Sequence, residues 1–315
     1  RIYFLGMPFI MIFNFGSAIL RSLGDTRRPL YILIAAGILN TVLNLLFVIV
    51  FHMGVEGVAI ATGISNLFSA AMVVSILLKE EEPYRLHPDD MHIQRDELSH
   101  MLEIGVPAGL QGVVFSISNV IIQASINSYG FNAVAGSAAA LNFEQYCYYV
   151  IAAFNGAAIS FVGQNYGAGN MDRVKRIFLI CMGLGMASCV ALNWIFAGWS
   201  DFFLGLFTDS DAVKEFGTIR MHTALVLQGL ACLYEIPGSA LRGMGRSMLP
   251  TLLTVFGTCL LRIVWVYTIC PIWKGFHALM FVYPVSWTIT GIMVMTAFIV
   301  TFNKIRKKAG LAKTA

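Results

Sequence analysis

Residues 29–51 read PLYILIAAGILNTVLNLLFVIVF, twenty-three positions without one charged side chain. A helix of about 20 apolar residues crosses the hydrocarbon of a bilayer. Nine such stretches can be drawn along the 315 residues, at roughly 2–21, 29–51, 56–78, 100–128, 132–164, 172–199, 212–242, 249–271 and 277–302. Lipid offers backbone polar groups no partner, so only helices or a closed barrel can span it. The stretches are too long and continuous for barrel strands, which alternate over about ten residues. The expectation is an all-α polytopic membrane protein. Composition excludes the soluble alternatives: 57% of the residues are hydrophobic and 12% are charged, against about 25% charged in a soluble domain. The six cysteines form no CxxC pair and lie inside apolar stretches, where they read as small packing residues.

One segment breaks the pattern. Residues 79–98 (KEEEPYRLHPDDMHIQRDEL) hold seven acids, three bases and two prolines, the composition of a solvated linker. It divides the chain into 1–78, the last three helices of an N-terminal lobe; 79–98, an interlobe linker; 99–303, a six-helix C-terminal lobe; and 304–315, a basic tail. With nine helices the loops alternate between two sides. Sixteen Lys and Arg residues sort to one side, Arg28, Arg95, Arg176, Arg246, Lys307, Lys308 and Lys313 among them. Arg1, Lys214, Arg220 and Lys274 sort to the other, and Arg262 lies within a span. Positive charge stays on the cytoplasmic side, so the linker and the C-terminus are expected in the cytoplasm. Trp194, Trp199 and Trp273 fall near the outer interface.

The chain also repeats itself. Leu20-Arg21-x-x-Gly24-x-x-x-x-Pro29 recurs 221 residues later as Leu241-Arg242-x-x-Gly245-x-x-x-x-Pro250, and at the same offset Leu39 meets Leu260 and Gly54 meets Gly275. A helix-ending Gly followed by a Pro that opens the next helix is ordinary turn chemistry. Two such turns with one spacing, at matching topological places, point to duplication, an architecture of secondary transporters. The chain opens on Arg1 and is apolar at once, and the first repeat would start well upstream of it. The expectation is an intact protein of six plus six helices, of which three precede this sequence.

Enzyme signatures are absent from the sequence: it has no HExxH, GxSxG or Walker A run, and the six His show no metal spacing. No enzyme activity, metal, cofactor or nucleic-acid partner is expected, and transport would be driven by an ion gradient. Glu144, Glu235 and Arg262 lie inside apolar stretches, where an ionisable group costs about 2.5–3.5 kcal/mol to insert and defaults to a functional hypothesis. An isolated carboxylate there can be neutral at rest and take up a proton or cation as a cycle demands. Glu144 is the first candidate for this role. Glu235 and Arg262 either share it or form a structural pair with each other. Asn40 and Asn44 are one turn apart and share a helix face, with Thr62 on the next helix. Their oxygens suit a hard cation, or equally hydrogen bonding between helices. Phe143, Tyr146 and Tyr149 crowd around Glu144 in sequence, and with Arg262 they are the expected substrate cavity, since flat aromatics with an acid suit lipophilic cations.

The ordered set of motifs resembles the multidrug and toxic compound extrusion (MATE) transporters. It comprises Ala18–Pro29 (AILRSLGDTRRP), Asn40-x-x-x-Asn44, Gly54-x-x-Gly57-x-Ala59-x-Ala61-Thr62, Gly105-x-Pro107, Val162-Gly163-Gln164-Asn165-x-Gly167-Ala168-Gly169 and Ala240-Leu241-Arg242-Gly243-x-Gly245. The resemblance implies a twelve-helix, two-lobe fold that exports organic, often cationic compounds by H+ or Na+ antiport through alternating access. It implies a multi-pass protein of the bacterial inner (plasma) membrane, taken here as monomeric and in contact with membrane lipid. It also implies that Asn40, Asn44 and Thr62 belong to a first-lobe cation site. The best-known bacterial pattern carries second-lobe acids where this chain has Val113-Val114-Phe115 and Ala231, so Glu144 and Glu235 are the acids available here. A lipid-linked precursor flippase of the same superfamily and a non-transporting membrane scaffold are the competing readings.

Overall fold

The computed structural model describes residues 2–82, 84–90 and 92–314, and the side chains of all of these except Asp90 and 308–314. Arg1 and the side chains of Lys308 and Lys313, three of the sorted bases, lie outside the described residues. Among these residues there is no strand, and nine helices are long and apolar enough to cross a membrane. They are α1 (Ile2–Ser22), α2 (Arg27–Val50), α3 (Val55–Leu78), α4 (Arg95–Asn127), α5 (Phe131–Gly167), α6 (Met171–Gly198), α7 (Asp211–Gly243), α8 (Met248–Thr268) and α9 (Phe276–Lys307). The all-α fold of nine membrane helices is thus what the apolar stretches foretold. Most of the helices run a few residues further at their polar ends, and the last continues to Thr314, because a polar turn of helix can continue into water.

The chain forms two compact units, Arg1–Gln94 and Arg95–Ala315. In the first, α3 packs on both α1 and α2 around a small core of Leu20, Ile32, Val73 and Leu77. Beyond its third helix, Arg28 grips the polar segment: it donates to Asp25 and, at 2.6 and 3.2 Å, to both oxygens of Glu80. Burial works to raise the Asp25 carboxyl. Hydrogen bonds from the Arg28 side chain and from the N–H groups of Arg28 and Arg27 outweigh it and hold the carboxyl below its usual range.

The second unit has a larger core built on α5, α6, α7 and α9. Its α7 is broken in the middle. An α-helical start, Asp211–Arg220, passes into a π-helical turn at Met221–Leu225 and a 3-10 turn at Gln228–Ala231 before α-helix resumes at Cys232–Gly243. Such irregular backbone is tolerated at membrane depth only where protein or a cavity surrounds it, and most of this segment is buried.

The repeat has a physical form. Gly24 (φ 88°) and Gly245 (φ 74°) both take the left-handed conformation. In each copy the glycine N–H reaches the arginine carbonyl, and the next N–H reaches the leucine carbonyl, at 3.0 and 3.0 Å in the first and 2.9 and 2.9 Å in the second. This is the helix-closing pattern that a Cβ would strain. The core repeats too. Ala61, Ser65, Ser69, Val73 and Leu77 form a buried stripe on α3, one helical turn apart, and Val282, Ser286, Thr290, Val294 and Phe298 form the same stripe on α9, 221 positions on.

Candidate functional site

In the first unit, α2 and α3 bring the expected trio together. Asn44 Nδ2 donates to Asn40 Oδ1 at 3.0 Å, Asn40 Nδ2 reaches Thr62 Oγ1 at 3.5 Å, and Thr62 Oγ1 donates to the Val58 carbonyl at 2.9 Å. The chain of donors runs one way and leaves Asn44 Oδ1 buried without a partner. A buried acceptor without a donor costs about 1–3 kcal/mol. A proton donor or a hard cation beside it would recover that cost.

In the second unit the expectation of an isolated Glu144 is corrected. Arg220 Nε and Nη2 donate to the two Glu144 oxygens at 2.5 and 2.9 Å, and both side chains are almost wholly buried. Arg220 Nη1 donates to Ser137 Oγ at 3.1 Å, and Gln228 Nε2 donates to the Glu144 carbonyl at 3.0 Å. Arg220, just before the break in α7, therefore holds the Glu144 carboxylate, and Gln228, within the break, holds the backbone carbonyl of the same residue. Arg220, sorted above with the outer loops, is the tenth residue of α7. At 1.5 Å per residue it sits about 14 Å along the helix. A charge can lie so deep because its partner is bidentate and fully hydrogen-bonded. The signal that could have found it was Glu144 itself, since an intramembrane acid needs a base.

Glu235 and Arg262 do not pair. Glu235 accepts a hydrogen bond from Asn155 Nδ2 at 2.8 Å, a neutral partner whose own Oδ1 is buried and unpartnered. Arg262 donates to Ser286 Oγ at 3.3 Å and Asn119 Oδ1 at 3.2 Å, and its guanidinium lies over the rings of Tyr283 at 4.7 Å and Phe115 at 5.4 Å. Four neutral groups thus satisfy the one charge. Tyr283 also lies 5.4 Å from the Arg220 guanidinium, so one ring faces both buried arginines.

The four cavity candidates are not gathered in one place. Phe143 is buried in an aromatic cluster with Phe196, Phe203 and Phe207, at centroid distances of 5.1, 5.3 and 5.7 Å. Arg262 is 2% exposed, whereas Tyr146 and Tyr149 are 57% and 63% exposed. The reason is helical periodicity. Phe143, Glu144, Cys147 and Ile151 take the inner face of α5, which leaves Tyr146 and Tyr149, three residues apart, on the outer one.

Two family models match parts of this chain. A family model described as MatE matches residues 107–268, and one described as Lipid II flippase MurJ matches residues 1–134. The probable multidrug resistance protein YpnP of Bacillus subtilis is 35% identical over 178 residues, which is 55% of this chain and 39% of that protein. YoeA of Bacillus subtilis, also described as a probable multidrug resistance protein, is 26% identical over 268 residues, 81% and 57% of the two chains. A FAD transporter of Shewanella oneidensis is 28% identical over 186 residues, 57% and 41%. The chain thus spans between 39% and 57% of these relatives' lengths. Among solved structures, a MATE protein in its straight conformation superposes with a TM-score of 0.88 at 22% identity, covering 98% of this chain and 69% of that one. A MOP superfamily transporter from Pyrococcus furiosus gives 0.83 at 23%, covering 99% and 69%.

Proposed function

This chain belongs to the MatE family, and from that premise we propose that it acts in a secondary active exporter of small organic compounds. Export is driven by inward flow of H+ or Na+ through alternating access of two lobes in the bacterial inner membrane, with the C-terminus in the cytoplasm. Relatives described as a probable multidrug resistance protein and a multidrug export protein support small organic substrates, and lipophilic, often cationic ones are what the family resemblance adds. The observation that carries the coupling is the contrast between the two acids of the second unit. Glu144 is matched by Arg220, charge for charge, so any coupling role for it needs that clasp to open. Among the described residues Glu235 accepts a side-chain hydrogen bond only from the neutral Asn155 amide and stands in no ion pair, so it can exchange a proton or a cation without breaking one. Asn40, Asn44 and Thr62 supply a second set of oxygens, with Asn44 Oδ1 free to accept. Tyr146 and Tyr149, exposed on α5, are the aromatic surface open to substrate. The test is efflux by the intact protein in proteoliposomes under imposed pH or Na+ gradients. Export that persists with both gradients collapsed would end this reading.

A lipid-linked precursor flippase is the second reading. The MurJ match over residues 1–134 favours it, as does Arg262, a buried cation with no carboxylate partner among the described residues. Movement of a labelled lipid precursor between leaflets, with no efflux of small cations, would select it.

A further inference from the structure

In the second unit a cleft of about 950 Å³ opens where the α7–α8 turn meets the end of α9. Three cations line it: Arg246 from the turn and Lys304 and Lys307 from α9. Their positions are fixed by the fold. Gly245 turns the chain back at φ 74°, and Ser247 Oγ pins the turn by donating to the Ile104 carbonyl at 2.9 Å. On α9, Thr301, Lys304 and Lys307 follow one another at three-residue spacing, so they share one face.

The three cations are unmatched. Among the described residues no side-chain hydrogen bond or ion pair engages Arg246, Lys304 or Lys307. Their neighbour Arg306 is bound to Asp172 at 2.9 Å, and Arg28 in the other unit holds two carboxylates. The cleft has one acid, Glu103, which faces His100 at 3.9 Å. Three positive charges therefore meet one negative charge. Besides the small polar Ser247 and Thr301, the wall carries an apolar strip: Met248 and Leu249 stand 56% and 40% exposed at the start of α8, with Ile305 also lining the cleft. A charged rim over an apolar wall running down a membrane helix is complementary to a molecule with a phosphate at one end and hydrocarbon at the other. A free anion leaves the apolar wall unused, and an organic cation is repelled by the rim.

We propose that this cleft binds an anionic phospholipid of the cytoplasmic leaflet, with the headgroup phosphate between Arg246, Lys304 and Lys307 and an acyl chain along Met248 and Leu249. Positive charge at the cytoplasmic ends of helices is general, but the bases Arg173, Lys175 and Arg176 are exposed without lining this cleft. They serve as the control for charge alone. Each base near an anionic membrane surface contributes enough that the three together amount to roughly a hundredfold in apparent affinity.

The experiment is native mass spectrometry of the intact, delipidated protein titrated with phosphatidylglycerol, phosphatidylcholine or inorganic phosphate. Wild type should retain phosphatidylglycerol and neither of the others. The triple variant Arg246→Gln, Lys304→Gln, Lys307→Gln should lose it by roughly a hundredfold. The charge-conserving Arg246→Lys, Lys304→Arg, Lys307→Arg variant should keep it, as should Arg173→Gln, Lys175→Gln, Arg176→Gln. Equal retention by the Gln triple variant, equal loss in the control variant, or displacement of the lipid by phosphate alone would overturn the assignment.

Discussion

Arg220 and Glu144 meet edge to edge, Nε to Oε1 at 2.5 Å and Nη2 to Oε2 at 2.9 Å, from positions 76 apart in the chain. Bidentate geometry of this kind fixes orientation as well as charge, and here it joins α5 to the end of the α-helical start of α7. Removing one partner of a buried pair strands the other charge, at about 3–5 kcal/mol, whereas replacing both with apolar groups is often neutral. Arg220→Leu and Glu144→Met should each sharply reduce folded protein in the membrane. The double variant should recover most of it. The check is a double-mutant cycle on thermal unfolding in detergent, and additive losses would refute the clasp.

Glu235→Gln keeps an oxygen for the Asn155 donor and removes the ionisable proton. Efflux should fall at least tenfold, an effect of about 1.4 kcal/mol on the rate, while the amount of folded protein stays near that of wild type. Transport assays across a pH series decide it. Unchanged efflux with an unchanged pH profile would remove Glu235 from the coupling site.

Thr62→Val deletes the acceptor at the end of the asparagine relay. The net loss of one hydrogen bond is about 0.5–1.5 kcal/mol, so the protein should still fold. The cation concentration giving half-maximal efflux should rise, because Asn40 loses the group that orients it. A fall in folded protein with unaltered cation dependence would mark the trio as packing alone.

The acid response of the first unit follows from Asp25. Its carboxyl is held below the ordinary value of 3.8 in the fold. The stabilisation is therefore present above that value and is lost as pH falls through the lower, folded value. The amides of Arg27 and Arg28, which donate to Asp25, should lose protection from hydrogen exchange only on the acid side of 3.8. In Asp25→Asn the step should vanish. A wild-type step above the ordinary value would contradict the sign.

Single cysteines placed at Arg28, Arg176 or Arg246 should resist membrane-impermeant maleimide added outside intact cells and react once the cells are opened. Labelling from outside would reverse the orientation. Of the six native cysteines five are buried, which keeps the background low.

The spans were legible because lipid imposes one rule, an apolar run of helical length, and nearly every loop breaks it with charge, Gly or Pro. The trio Asn40, Asn44 and Thr62 was legible because it rests on spacing along one helix and proximity of the next. The clasp was not. Arg220 falls inside the stretch drawn at 212–242, but as a charge close to its polar, amphipathic start it sorts with the outer loops. Phe143 was misread because adjacent residues of a helix point about 100° apart, so aromatic density along the sequence does not report which side faces outward. Glu235 and Arg262 looked like a pair because charge was their only visible property, whereas the amide and aromatic groups that satisfy them come from other helices.

The stripe carried by both α3 and α9 gives the protein an internal yardstick of divergence. Val73 and Val294 occupy matching positions, both at 0% exposure, while one turn on Leu77 has become Phe298. The mid-stripe valine is the same in both copies, and the end of the stripe has changed in volume. Truncating Val73 and Val294 in turn therefore poses one question to two copies of the same buried stripe. The difference between the answers measures how unequally the two units tolerate a void at the same place in the stripe.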